Sequence, residues 1–301
     1  MGSNTFHLLV VQCHSNHFEF LLREKLAVRI GVGGINQDVI TEAAMQRAIE
    51  AMQYFKNKID EFGIHEVLAF GTSALRNATN GQAVIRKIKE ATGIKTKIIS
   101  GNDEARYIYE GVNLALKLGE EKALIMDIGG GSVEFIIGNG QEVFWKQSVE
   151  MGGQRLLERF QKHDPILPLE INTLDSFFNE KLSTLAEAMR LHRPKILIGS
   201  SGTFDTLSDI YCHQQNIELK ETPETPLTLA AFEKICLALI SKDRAQRMQI
   251  PGMIEMRVDM IVVACCLIKF VTDQFAFDRI RVSSYSLKEG VLASLMKSTQ
   301  H

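Results

Sequence analysis

The sequence predicts an α/β protein made of two related domains that face each other across a cleft. Its 301 residues are the length of about two ordinary domains. Short apolar runs typical of strands alternate along the chain with helical patterns. Glycine-hydroxyl turns recur at matching distances, since 69 residues separate Gly2 from Gly71 and 68 separate Gly131 from Gly199. This repetition indicates an internal duplication.

Eight apolar runs bounded by turn residues predict strands. The turn Gly138-Asn139-Gly140 is a strong hairpin signal between two of them. The run at 67–70 lies between polar segments and predicts a buried strand. The predicted strands cover residues 5–11, 67–70, 97–99, 123–127, 133–137, 143–148, 195–198 and 279–282.

Helices are predicted where apolar residues recur at helical spacing. In the first long helix, Met45, Met52 and Ile59 share one face, and Gly63 is a suitable C-cap. The predicted helices cover residues 41–62, 82–91, 103–118, 154–161, 169–191, 228–240 and 255–271, with a last one from Leu287.

Composition and charge exclude several classes of function. A net charge of −2 does not provide the broad basic surface used to bind nucleic acid, so an anionic substrate would need a local positive field. The longest apolar run, 260–268, is far shorter than the ~20 residues of a membrane span. No signal peptide is visible. We therefore expect a cytoplasmic protein without a membrane or nucleic-acid partner.

The five cysteines predict reduced thiols rather than disulfides or a metal site. Their number is odd, and no Cys-x-x-Cys occurs. Cys13-His14 and Cys212-His213 could suggest metal ligation, but neither has a second pair at zinc spacing.

The segment 127–134 is the strongest candidate for a phosphate site. Three consecutive glycines let the backbone approach a ligand, and their N–H groups can form an anion-binding nest. Ser132 adds a hydroxyl, and Asp127 and Glu134 flank the turn, where both carboxylates could face a metal ion on the same phosphate. A plain hairpin needs neither the third glycine nor the two acids. The glycines are Gly129, Gly130 and Gly131.

Four other segments give weaker signals when taken alone. The turn at 2–5 and the segment 71–76 could hold phosphate, although Gly-Ser-Asn is a common turn composition and an arginine at a helix start is usually solvated. The acids at 103–104 fit ordinary helix capping. The loop 199–203 fits a capped helix start and a ligand contact about equally. The candidate residues are Gly2, Ser3, Asn4, Thr72, Ser73, Arg76, Glu104, Ser201, Gly202 and Thr203.

Together these motifs resemble the exopolyphosphatase and guanosine pentaphosphate phosphohydrolase (Ppx/GppA phosphatase) family, in its short two-domain form. The matching segments occur in order along almost the whole chain. They are 2–7, 71–76, 100–106, 127–134, 199–203 and 282–290, together with Pro251, Gly252, Arg257 and Asp259.

The resemblance implies a fold of two ribonuclease-H-like domains, as in the actin, hexokinase and Hsp70 (ASKHA) superfamily. Domain I would comprise residues 1–118 and about 284–301, and domain II residues 119–283. It implies hydrolysis of the terminal phosphate of inorganic polyphosphate, or of the 5′ phosphate of pppGpp, and it is compatible with a homodimer. Glu104 would activate water, and Arg76 would be the second catalytic residue, holding phosphate. Asp127 and Glu134 would bind Mg²⁺, and the remaining candidates would hold phosphate.

The sequence departs from the family pattern in three places. An Asp that the family carries on a strand before its first motif has no counterpart, so we expect the true start to lie upstream of Met1. Lys288 stands where the family usually has Arg, which weakens bidentate binding there. Longer members carry a further helical domain, so high processivity on long chains is not expected.

Two other functions stay open at this point. A kinase or ATPase of the same superfamily would share the fold. A sensor that binds polyphosphate or a guanosine alarmone without cleaving it would also suit the missing Asp.

Overall fold

The computed structural model describes residues 1–14 and 17–299, with side chains as far as Met296. The strands are β1 (Phe6–Cys13), β2 (Phe18–Leu26), β3 (Ala69–Gly71), β4 (Thr96–Ile98), β5 (Ala123–Ile128), β6 (Val133–Gly138), β7 (Val143–Val149), β8 (Ile196–Ser200), β9 (Glu224–Thr225) and β10 (Arg279–Ser283). The end of the predicted terminal helix, residues 300–301, lies outside the described residues.

Twelve α-helices occur in the described part of the chain. They are α1 (Glu42–Glu61), α2 (Ser73–Asn77), α3 (Gly81–Thr92), α4 (Gly101–Leu116), α5 (Gly153–Phe160), α6 (Pro168–Lys181), α7 (Ser183–His192), α8 (Ser201–Gln215), α9 (Leu229–Ser241), α10 (Arg244–Met248), α11 (Met260–Gln274) and α12 (Leu287–Thr299). None of the helices in residues 1–14 and 17–299 is long and apolar enough to cross a bilayer.

A six-stranded mixed sheet forms the centre of the second half. Its strand order is β7-β6-β5-β8-β10-β9, with β8 parallel to both β5 and β10 and the other pairs antiparallel. Successive side chains of a strand point to opposite faces. Thus Leu124 and Met126 join the core that contains α11, while Ile125 packs with Ile108 of α4 on the other face. All of β5 is therefore buried, which explains why it is apolar at every position except Asp127.

The first half contains two separate ladders, an antiparallel β1-β2 hairpin and a parallel β3-β4 pair. Its core is formed by α1 and α3 with residues from β1. A strand is found at the end of the predicted segment 67–70, but its predicted burial and its start are wrong, because Val67 is 38% and Leu68 50% exposed. Strand β3 begins only at Ala69, after these two residues, and its second edge is bonded to Met1, which donates to the Phe70 carbonyl oxygen and accepts from the Thr72 N–H.

Two predicted helices also differ from the structure. The helix predicted at 169–191 is divided at Leu182, whose backbone leaves the helical region (φ −107°, ψ 17°) while its side chain is buried in the core. The helix predicted from residue 255 begins only at Met260, because turns occupy the residues before it. The β2 strand was not predicted.

Helix α12 lies against α4, and α4 also packs on the six-stranded sheet. The division into residues 1–118 with 284–301 and residues 119–283 stays a prediction.

Candidate active site

A cleft of about 1130 Å³ lies where the turns of the two halves meet. Most of the predicted site residues line it. They are Gly2, Ser3, Asn4, Thr72, Ser73, Glu104, Asp127, Gly129, Gly130, Gly131, Ser132, Glu134, Ser201 and Gly202. Thr203 does not line it and is instead buried in the first turn of α8. Arg76 is joined to the cleft through its ion pair with Glu104.

Three buried carboxylates lie on this cleft. Asp127 and Glu134 are directly opposite each other on β5 and β6, and side chains in such pairs share one face of the sheet. Glu104 reaches the cleft from the first turn of α4, where the helix dipole favours a negative charge. The exposed fractions are 7% for Glu104, 4% for Asp127 and 1% for Glu134.

Serine hydroxyl groups satisfy two of these carboxylates. Asp127 accepts hydrogen bonds from Ser201 at 2.8 Å and Ser286 at 2.5 Å, and also from Ser200. Glu134 accepts one from Ser148 at 2.6 Å. Hydroxyl groups leave the net negative charge in place, since they can rotate but carry no charge themselves.

Burial and mutual repulsion raise the pKa of two of the acids. The pKa of Glu134 lies well above its usual range because the group is buried, with the Glu104 and Asp127 charges adding to the effect. Burial also raises the pKa of Glu104, although the Arg76 guanidinium opposes that shift. A divalent cation would relieve this repulsion.

The Asp127 and Glu134 pair is better suited to Mg²⁺ than to a cation that takes all its ligands from the protein. No group of three or more His, Cys, Asp or Glu side chains able to hold a metal occurs among residues 1–14 and 17–299. Mg²⁺ commonly takes one or two carboxylates and completes its shell with water and substrate phosphate. Two acids that repel each other beside an anion-binding turn fit that donor set.

Arg76 lies between two carboxylates from different parts of the chain. Its Nη1 donates to Glu104 Oε2 at 2.8 Å and to the Ile99 carbonyl oxygen at 3.2 Å. Its Nη2 donates to Glu150 Oε1 at 2.8 Å. The guanidinium is therefore held in a fixed plane beside Glu104.

The glycine turn is fixed by the start of α5. The carbonyl oxygens of its three glycines accept hydrogen bonds from the backbone N–H groups of residues 152–154. Within the described part of the chain, the N–H groups of Gly130 and Gly131 have no hydrogen-bond partner. Backbone donors fixed in this way and facing a cleft are suited to an anion.

The first-half turn supplies an unpartnered donor to the same place. Asn4 is 5% exposed, and its Nδ2 is buried without a hydrogen-bond partner among the described residues. Ser3 is fixed, because its Oγ accepts a hydrogen bond from the N–H of Ala74 at 3.1 Å. A buried amide donor without a partner costs about 1–3 kcal/mol, which a ligand oxygen would offset.

Ser201 has an unusual backbone at the start of α8. Its φ is +69°, a region that residues other than glycine rarely adopt, and it donates to both oxygens of Asp127. Such conformations cluster at functional sites. The N-terminus of α8 and Gly202 therefore face the cleft beside Asp127.

Sequence reasoning assigned no role to Arg257, Lys25 or Glu150. Arg257 and Lys25 line the cleft. Arg257 is 8% exposed, its Nε has no partner among the described residues, and a Cβ added at Gly202 would lie 2.1 Å from its Nη2. Arg257 was identified only as part of the family pattern, and no local signal indicates that Lys25 or Glu150 approaches the site.

The site therefore combines anion donors, a carboxylate pair suited to a hard cation, and a buried glutamate paired with an arginine. The sequence profile of the Ppx/GppA phosphatase family matches residues 9–299. The chain belongs to this family. The match extends over nearly the whole of the α/β structure described above.

Two solved structures illustrate the range of this family. The chain is 43% identical to an exopolyphosphatase from Cytophaga hutchinsonii, with a TM-score of 0.96 over 99% of this chain and 96% of that one. A family member from Aquifex aeolicus is 24% identical, with a TM-score of 0.80 over 100% and 97% of the two chains, and shares the fold. These likenesses confirm the predicted α/β fold class.

A further relative has a different name from the Cytophaga exopolyphosphatase. The chain is 26% identical over 301 residues to the guanosine-5′-triphosphate,3′-diphosphate pyrophosphatase of Photobacterium profundum. The match covers all of this chain but 59% of that protein, so the chain spans about three fifths of the length of this relative.

Proposed function

We propose that this protein is an exopolyphosphatase, which hydrolyses the terminal phosphoanhydride of inorganic polyphosphate and releases orthophosphate. The observation that carries the proposal is one cleft that brings Glu104, Asp127 and Glu134 together with the unpartnered donors of the glycine turn. The 43% identity to the Cytophaga exopolyphosphatase over almost the full length supports this substrate class.

The terminal phosphate would be held by donors from both halves. The N–H groups of Gly130 and Gly131 and the Nδ2 of Asn4 are available for its oxygens. The remaining predicted phosphate-binding residues line the same cleft, with the exceptions of Thr203 and of Arg76, which is joined to it through Glu104. Phosphoryl transfer depends mainly on such positioning and charge neutralisation.

Glu104 would act as the general base. It accepts the proton of a water molecule whose oxygen attacks the terminal phosphorus. The bond between this phosphorus and the bridging oxygen breaks, and the shortened chain leaves with the bridging oxygen. The raised pKa of Glu104, caused mainly by burial and opposed by Arg76, brings the group closer to neutral pH, where a general base is most effective. Arg76 would keep the carboxylate oriented and offer charge to the transferring phosphate.

Asp127 and Glu134 would hold Mg²⁺. When bound, the ion neutralises phosphate charge and lowers the barrier to attack by an anionic nucleophile. The serine hydroxyl groups around Asp127 and Glu134 fix the direction of both carboxylates before the ion binds.

Compartment is also a proposal. Cys13, Cys212, Cys236, Cys265 and Cys266 are all free thiols. Free thiols are typical of a reducing compartment, which supports a role in the cytoplasm.

A second candidate function is the hydrolysis of the 5′ phosphate of pppGpp, which the name of the Photobacterium relative favours. The same phosphate site would serve either substrate. A non-catalytic sensor would bind either substrate without releasing phosphate.

The test is phosphate release from polyphosphate and from pppGpp, each with Mg²⁺, by the wild type and by Glu104→Ala. We expect faster release from polyphosphate and loss of release in the variant. Faster release from pppGpp would favour the second function. Tight binding of polyphosphate without release would favour the sensor.

A further inference from the structure

Glu150 joins two substrate-binding groups of the first half, although it belongs to the second half and follows β7. Its Oε1 accepts a hydrogen bond from Arg76 Nη2 at 2.8 Å, and its Oε2 accepts one from Ser73 Oγ. Each carboxylate oxygen therefore holds one donor from the opposite half of the molecule.

A second arginine, Arg155, lies near the Glu150 carboxylate and is itself held in place. Arg155 Nη2 lies 3.7 Å from Glu150 Oε2 and donates to Asp38 at 3.3 Å. The Arg76 side chain is 16% exposed and the Glu150 side chain 37%, so solvent reaches the pair from the Glu150 side only in part. The bond is charge-assisted, and the fixed guanidinium gives it a defined geometry.

We propose that Glu150 is a positioning residue, which holds the Arg76 guanidinium and the Ser73 hydroxyl in the orientation that the transferring phosphate requires. The inference rests on the proposed function, since Arg76 and Ser73 are the groups that would contact phosphate. Glu150 itself acts through them and is not a catalytic residue.

The hydrogen bonds of Arg76 explain why the Glu150 carboxylate is needed. Arg76 Nη1 is occupied by Glu104 and the Ile99 carbonyl oxygen, so without Glu150 the plane of the guanidinium would be fixed from one side only. A small misplacement of a group that contacts the transition state can lower the rate substantially. The outer partners of metal ligands typically change activity 10- to 100-fold, and we expect an effect of that size for the outer partner of Arg76.

Steady-state phosphate release tests the inference. In Glu150→Ala we expect kcat to fall about 10- to 100-fold with a much smaller change in KM. Glu150→Gln keeps groups that can bond Arg76 and Ser73, so it should restore kcat to within about threefold. In an Arg76→Ala background, Glu150→Ala should have little further effect, because the two residues act as one unit. Additive losses would contradict the inference.

Glu158→Ala is the matched control. Glu158 Oε1 accepts a hydrogen bond from the N–H of Gly33 at 2.9 Å, so it also joins the two halves but lies away from Arg76. The control should leave kcat unchanged. An equal loss in both variants would show that Glu150 only clamps the halves together.

A readout that needs no activity separates this inference from the proposed function. The side-chain Nε–H signal of Arg76 in NMR spectra should be sharp in the wild type and in Glu150→Gln, and exchange-broadened in Glu150→Ala. An unchanged signal in Glu150→Ala would overturn the inference, whatever the enzyme hydrolyses. A wild type that orders Arg76 in this way but releases no phosphate would overturn the proposed function alone.

Discussion

At the scale of single residues, close contacts between the two halves shape the cleft. A Cβ added at Gly131 would lie 2.3 Å from Ser73 Oγ and 2.4 Å from Ser3 Oγ. Both hydroxyl groups are engaged, since Ser3 accepts from Ala74 and Ser73 donates to Glu150. The glycine is therefore required where three of the proposed phosphate-binding segments touch, independently of any need for an unusual backbone conformation.

Gly131→Ala tests this contact. The added methyl group must displace Ser3 and Ser73, so we expect a loss of kcat/KM of at least about tenfold with a smaller effect on thermal stability. Gly119→Ala is the control, because a Cβ at Gly119 meets no atom within 4 Å. Equal activity in the two variants would show that the contact is unimportant.

Residue-level prediction succeeded where a short motif carries its own geometry. The glycine turn and its flanking acids lie on the cleft because strand, turn and strand follow one another directly. Glu150 and Arg257 could not be assigned roles in this way. Glu150 meets Arg76 across 74 residues of chain, and only the packing of the halves brings them together.

At the scale of elements, α4 carries Glu104 and is held by α12 at two glycines. A Cβ at Gly290 would lie 1.6 Å from the Tyr107 carbonyl oxygen, and one at Gly111 would lie 2.1 Å from that of Ser286. The two helices therefore approach with backbone nearly in contact. No shift of a flexible side chain could make room for a larger residue.

We expect Gly290→Ala to lower the free energy of unfolding by at least about 2 kcal/mol, because the backbone of one helix must move. Chemical denaturation monitored by circular dichroism measures it. Gly119→Ala again serves as the control and should change stability by less than about 0.5 kcal/mol. If Gly290→Ala left the free energy of unfolding unchanged, the backbones of α4 and α12 would not be in such close contact.

Element prediction was good for α1 and α3, whose apolar residues recur on one helical face, and failed where tertiary contacts decide. The continuous helix expected at 169–191 has a pattern compatible with one helix, yet the backbone leaves the helical region at Leu182, whose side chain is buried in the core. The short apolar run at 67–70 gave no indication that its first two residues would be exposed.

At the scale of the whole molecule, the buried carboxylates couple folding to pH and to metal binding. Burial and the neighbouring acids raise the pKa of Glu134, so the fold favours its protonated form. The stability from this group is present below its ordinary pKa of 4.5 and is lost as pH rises through the raised value. Mg²⁺ would bind the ionised pair of Asp127 and Glu134 and offset this loss of stability.

The stabilisation by Mg²⁺ should therefore increase with pH. We expect the gain in Tm on adding Mg²⁺ to be larger at about pH 8 than at about pH 5. Glu134→Gln should raise the Tm of the metal-free protein at neutral pH. It should also remove most of the gain in Tm on adding Mg²⁺. The same gain at both pH values, or in the variant, would argue against this site.

The most direct test of the central claim is phosphate release from polyphosphate by the wild type and by Glu104→Gln, at saturating Mg²⁺ and substrate. Gln preserves the volume of the side chain and an oxygen that can accept from Arg76, but it cannot take a proton from water. The account predicts a fall in kcat of about 10²- to 10⁴-fold with an unchanged fold. A Glu104→Gln enzyme within about tenfold of the wild type would contradict the assignment of Glu104 as the base.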